Sequence, residues 1–387
     1  MVTNIKHARR AFLSLIAGST LAGTAGASAQ THRNPSPSTE QPTSIEQVVQ
    51  DQYTAVSLVT DVSASGDTVL FGFDNGDLVI YDPNRQSEIF PFSVNSGISH
   101  IQIEEATNTA ALAWMDADLY GSLDLTSQDG PVVEHPGLWD IAMASEDATM
   151  ASVSSPIDGQ GSVILATEDG QQWRDNFDEA AANSVDITAD GDSIAVGGTH
   201  YWVGATEREG TPGVMLYDSE GEQQWVYETE LDVIATQINA ESECVVAGTE
   251  DGQIFALDLD GELRWEDPLA GGWPYISRDG STVITSTIEV AIQAYDSTTG
   301  EELWSTEIGA VAGEDISVTE DGTRVLASAR TEGEIYVVEE SGVIWENAYD
   351  VGPAVGALSG TGGTWSVGIQ QNEEQTGRVE IYEDSAA

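Results

Sequence analysis

Positive charge is nearly missing from this chain: Lys6 is its one lysine, and Lys and Arg together number 12 against 66 Asp and Glu. Binding a phosphate backbone depends on Lys and Arg, so nucleic acid and anionic membranes are poor partners for it. Cysteine is as scarce. Cys244 stands alone, which excludes an intrachain disulfide, and its place in the apolar run Cys244-Val245-Val246-Ala247 suits a buried packing thiol. No apolar stretch is long enough to insert across a bilayer. His100, His135 and His200 lack the H-x-x-x-H or H-E-x-x-H spacing of a zinc site, and Asp258-x-Asp260-Gly261 begins like a calcium loop without its third ligand or closing glutamate. No G-x-S-x-G elbow or phosphate-cradling loop occurs. Acid pairs are too common for any two of them to mark a glycosidase.

What the chain has in excess is acid, for a net charge of -54. Self-repulsion of that size opposes folding in dilute buffer, but at about 1 M salt the Debye length falls to about 3 Å and the repulsion is screened. This reads as adaptation to a hypersaline medium, the alternative being a surface built for a cationic ligand or metal ions. With 40% hydrophobic residues and ten tryptophans, the composition is that of a protein with a core.

The few positive charges are informative where they cluster. Arg9-Arg10-Ala11-Phe12-Leu13 opens an apolar stretch to Leu21, and small residues end in Ala27-Ser28-Ala29. The segment resembles a twin-arginine (Tat) signal, which implies export of the folded protein to the cell-envelope exterior or medium. Residues 1–29 are therefore read as a signal peptide, and 30–44, rich in Pro, Ser and Thr, as a disordered tether. Cleavage after Ala29 leaves 9 basic residues, no lysine and a net charge of -57.

A glycine turn leads to tryptophan five times: Gly170 to Trp173, Gly221 to Trp225, Gly261 to Trp265, Gly300 to Trp304 and Gly342 to Trp345. By subtraction, successive tryptophans are 52, 40, 39 and 41 residues apart, the period of a four-stranded propeller blade. Two further signals each recur eight times. One is a polar turn opening a short apolar strand, as at Asp190-Gly191-Asp192 and Asp321-Gly322-Thr323; the other is an alternating strand closing near an acid, as at Gly213 to Asp218 and Gly252 to Asp258. Residues 45–387 are thus expected to form one all-β domain, a β-propeller of eight four-stranded blades, or seven if the weak second unit is irregular. The last unit lacks a fourth strand. Ile45 to Gln50, standing before the first inner strand, can supply it and close the ring.

The stretches Ala256-Leu257-Asp258-Leu259-Asp260-Gly261-Glu262-Leu263-Arg264-Trp265 and Ala294-Tyr295-Asp296-Ser297-Thr298-Thr299-Gly300-Glu301-Glu302-Leu303-Trp304 closely resemble the repeat of PQQ-like (quinoprotein-type) propellers. The resemblance runs from about Ala55 to Glu383; units one and two depart, with Phe90 or nothing in place of tryptophan. It implies that Trp173, Trp225, Trp265, Trp304 and Trp345 dock on neighbouring blades as structural staples. An indole buries about 200 Å², enough for that task without chemistry. The family also suggests pyrroloquinoline quinone, which one cysteine and almost no cations leave poorly held. No cofactor is expected.

The 52-residue interval marks an insertion between Gly197 and Gly213 that carries His200, Tyr201, Trp202 and Arg208 and should overhang the channel. Trp114, His135, Trp139, Asp140, Trp273 and Tyr275 are further candidates for the same face, where aromatics beside carboxylates suit a peptide or carbohydrate. Asp61, Asp140, Asp186 and Asp315 recur beside an inner-strand apolar residue, either as solvated blade-edge acids or as a ring able to bind a channel cation. The expected function is a secreted, monomeric, non-enzymatic scaffold for a protein or cell-surface glycan partner. The alternative is an extracellular enzyme acting on glycans or small alcohols.

Overall fold

Short strands that bury both faces must be covered by other strands, and tight glycine turns decide where each one reverses. The computed structural model describes residues 45–386 apart from 83–85, 92–93, 95, 156–160, 178–179, 204–206, 269–270, 287–290, 309–315, 330–332, 350–353 and 372–375. The expected signal and tether lie outside the described residues.

Eight four-stranded antiparallel sheets follow one another along the chain. Their inner strands are Ser57–Val62, His100–Glu104, Leu138–Met143, Ala181–Ile187, Val233–Asn239, Pro274–Ile276, Ile316–Val318 and Ala354–Leu358, which define blades 1 to 8. The second unit is a full blade, ending in the three-residue outer strand Val132–Glu134. Within each blade the loops after the second and fourth strands emerge at one end of the central channel, here the loop end. Turns after the first and third strands form the turn end.

Eight separate hydrophobic clusters fill the eight joints between consecutive blades, so no blade has a core of its own. Second strands such as Val69–Phe73 and Thr109–Trp114 are buried throughout, because both sheet faces meet a neighbour. Phe90 packs into the joint between blades 1 and 2, where later blades use tryptophan. At the following joint Val133 serves.

The ring closes as the unpaired last unit requires. Ile45–Tyr53 runs antiparallel to Thr376–Asp384 and becomes the outer strand of blade 8. The same strand also reaches blade 1: Tyr81 Oη donates to Asp51 Oδ2 at 2.7 Å, and the Tyr53 and Tyr81 hydroxyls are 2.7 Å apart. Cys244 is fully buried, and burial pushes its thiol up to about 11, consistent with a packing role.

Candidate functional site

The insertion in blade 4 folds into a hairpin of its own, Tyr201–Val203 against Glu207–Glu209, between the blade's second and third strands. His200 fixes its base. Asp232, at the entrance to blade 5 and only 3% exposed, accepts from the His200 backbone N–H at 2.7 Å and from Nδ1 at 2.6 Å through the same oxygen. A nearly buried carboxylate with two donors is a strong anchor, and the N–H it holds fixes the imidazole tautomer. Tyr201 pairs with Glu209 and Trp202 with Arg208 across the hairpin ladder.

Four inner strands carry an irregularity at the loop end. The pairing skips Leu58, Trp139, Asn183 and Ile234 on blades 1, 3, 4 and 5, and each is half-buried. A bulge of this kind turns a side chain out of the ladder, so Trp139 is aimed by the strand irregularity. Ile234 lies two residues beyond the carboxylate that anchors the hairpin. Trp273 and Tyr275, both half-buried, stand at the entrance and on the inner strand of blade 6, with Tyr275 packed into the joint with blade 7.

Two candidates belong to the interior instead. Trp114 ends a fully buried strand and is 1% exposed within the joint of blades 1 and 2, so no partner can touch it. His135 has no exposed surface; its Nδ1 and Nε2 each meet a serine hydroxyl at 2.8 Å, Ser152 and Ser162, and desolvation lowers it to about 3. Each occurs once, so no repetition signals which way its side chain faces.

The three described inner-strand acids, Asp61, Asp140 and Asp186, are half-buried and bound to backbone N–H groups. Asp61 accepts from its own neighbour, Val62 N, at 2.9 Å and from Ile103 N of blade 2 at 2.6 Å. Asp140 does the same with Ile141 N and with Val185 N of blade 4, and Asp186 with Ile187 N and with Ile238 N of blade 5. Each carboxylate therefore staples one blade to the next. Gln102 plays this part between blades 2 and 3, its amide oxygen accepting from Met143 N at 2.9 Å and its amide nitrogen donating to Met143 O at 2.9 Å. Desolvation raises Asp61 and Asp186 to about 7 despite those hydrogen bonds. Asp315 lies outside the described residues. Among the described residues no group of three His, Cys, Asp or Glu side chains is arranged to hold a metal ion.

Three of the repeated tryptophans dock directly on the next blade. Trp173 Nε1 donates to Ser219 O at 2.8 Å, Trp225 Nε1 to Leu259 O at 2.7 Å, and Trp265 Nε1 to Ser297 O at 2.8 Å. Each indole lies against a turn glycine, Gly221, Gly261 or Gly300, where an added Cβ would come within 2.9 Å of the ring. Those glycines also take φ of +86°, +83° and +70°, so both the approach and the backbone require them. Trp304 and Trp345 pack into the next two joints, Trp345 with its ring 4.8 Å from that of Tyr382. The tyrosines that receive the indoles were not singled out in the sequence, although Tyr217-Asp218 and Tyr295-Asp296 repeat at the same point of the unit. Their rings stack on Trp173 and Trp265 at 6.1 and 6.0 Å.

A second feature absent from the sequence reading lies at the turn end. A cavity of about 590 Å³ is lined there by turns of blades 1, 2, 6, 7 and 8, with Arg278, Glu105 and Glu320 on its wall.

Residues 131–283, under half of the chain, match a family model described as outer membrane protein assembly factor BamB. The match begins just before the outer strand of blade 2 and ends in the second strand of blade 6, so it includes the insertion. No curated protein matches the chain.

Proposed function

We propose that this protein is an exported, salt-adapted and non-catalytic propeller that binds a protein partner outside the cell through its loop end. The observation that carries this reading is the anchored hairpin. A decorative loop needs no nearly buried carboxylate to hold it, whereas His200 commits both a backbone and a ring donor to Asp232. The result is a β-hairpin presented from a fixed base, beside inner strands whose bulges turn out Trp139 and Ile234. Rigid presentation lowers the ordering cost of binding.

Partial likeness to a model described as an assembly factor supports work done on other proteins. Charge supports the medium and narrows the partner: a surface of net charge -54 repels other acidic surfaces unless salt screens them. The twin-arginine-like start of the chain supports export.

Site-specific photocrosslinking tests the proposal. A photoreactive residue replacing Trp202 should capture one defined protein from cell envelopes at about 1 M salt, and the same residue replacing Thr361 at the turn end should not. Equal capture from both ends, or none from Trp202, would count against it.

A further inference from the structure

The turn end of the channel is crossed by one side chain. Arg278 sits in the first turn of blade 6, and its Nη2 is 3.3 Å from Glu104 Oε2 at the end of the inner strand of blade 2. Blades 2 and 6 are diametrically opposed in a ring of eight, so this guanidinium spans the channel. Its Nη1 also stands 3.9 Å from Glu320 Oε1 on blade 7.

The two partners differ in setting. Glu104 is 7% exposed, and its other oxygen accepts from Gln102 Nε2 at 2.8 Å, while Gln102 is itself bonded to blade 3. Arg278 has 46% of its side chain exposed and leans over the cavity lined by Ser65, Glu105, Glu320 and Thr361. One end is a buried fixture and the other a half-exposed arm.

We propose that Arg278 is a latch that closes the turn end of the channel against cations, with Glu104 as its catch. Glu105 and Glu320 line the cavity at this mouth, and an acid-lined entrance focuses field lines that draw cations inward. A guanidinium fixed across the entrance opposes them with its own charge and bulk. A half-exposed ion pair is weak enough to open reversibly. The catch is tied to the staple between blades 2 and 3 through Gln102, whereas the aspartate staples of blades 1, 3 and 4 make no bond to the latch.

A cysteine reporter tests this. Gln237 on blade 5 pairs with Val246 as Asp186 on blade 4 pairs with Ala195, so Gln237→Cys places a thiol at the equivalent point of the inner strand. Native Cys244 is fully buried and contributes little background. In that parent, Arg278→Ala should speed modification by a cationic thiosulfonate about tenfold and by its anionic counterpart far less. Glu104→Gln, which keeps the shape of the catch and removes its charge, should act in the same direction and decides the matter if Arg278→Ala does not fold. Rates within about twofold of the parent in the folded variants would overturn the proposal.

Discussion

Trp265 illustrates how one residue type serves as a joint. Its indole is 9% exposed, donates to Ser297 O and stacks on Tyr295, all across the gap between blades 5 and 6. Trp265→Ala should cost about 3–5 kcal/mol, combining lost burial, a cavity and an unpaired carbonyl. Denaturant unfolding at about 1 M salt checks it, and a loss below about 1 kcal/mol would contradict the staple role.

Buried titratable residues give a second test at this scale. Asp61 and Asp186 are raised to about 7, so the folded chain holds their protons more tightly than the unfolded chain does. Their stabilising contribution is complete below about pH 4 and is lost as pH rises through about 7. His135 and His100, lowered by desolvation to about 3 and about 4, act in the opposite sense: what they contribute is present above about pH 6.5 and lost as pH falls. Asp186→Asn should therefore change stability relative to the parent between about pH 4 and 7, the parent losing roughly 1–2 kcal/mol against the variant over that span. His135→Gln should remove an acid-side loss instead. Parallel pH profiles for the parent and Asp186→Asn, from urea titrations, would refute the assignment.

Residue identity was legible in sequence where it recurred. Five tryptophans at a steady interval announce a repeated structural task, and three show it in their indole bonds. Trp114 and His135 occur once each, and a single aromatic or histidine carries no signal of the direction in which its strand faces. The inner-strand aspartates form a visible series, but the donors they accept from are backbone N–H groups of the next blade, which no side-chain pattern reveals.

At the scale of elements, the closing strand shows what sequence counting can do. Three strands in the last unit and one spare strand at the start leave one economical pairing, and the observed strand runs to Tyr53, three residues beyond the expected end. Its added length carries Asp51 and Tyr53 to Tyr81 of blade 1, so it ties two blades. A chain beginning after Tyr53 should expose an unpaired edge, melt at lower temperature and aggregate. The free nine-residue peptide Ile45–Tyr53 should partly restore the melting temperature. An unchanged melting temperature in the truncated chain would show that closure lies elsewhere.

The inner-strand bulges and the hairpin were legible to different degrees. A long interval between tryptophans marks an insertion, yet its anchor depends on His200 and Asp232, which are 32 residues apart and joined only by the adjacency of blades 4 and 5. Bulges depend on one-residue shifts in pairing, and such shifts leave no trace in the pattern of short, partly buried inner strands.

For the whole molecule, eight joints without a blade-sized core make the ring cooperative. The two ends of the channel are built differently: a hairpin and bulged strands at one, linked turns and the Arg278 crossing at the other. Periodicity revealed the ring readily, but the difference between its ends rests on contacts between residues such as Arg278 and Glu104, which are 174 positions apart.

Binding through the loop end is tested most directly by excising the hairpin. Residues 201–209 would be replaced by a short turn that preserves the pairing of Ser193–Thr199 with Gly213–Asp218, and affinity for the partner captured through Trp202 measured at about 1 M salt. The expected result is an affinity loss of about tenfold or more, equal to about 1.4 kcal/mol, with an unchanged melting temperature. Undiminished affinity in the folded, hairpin-free protein would contradict it.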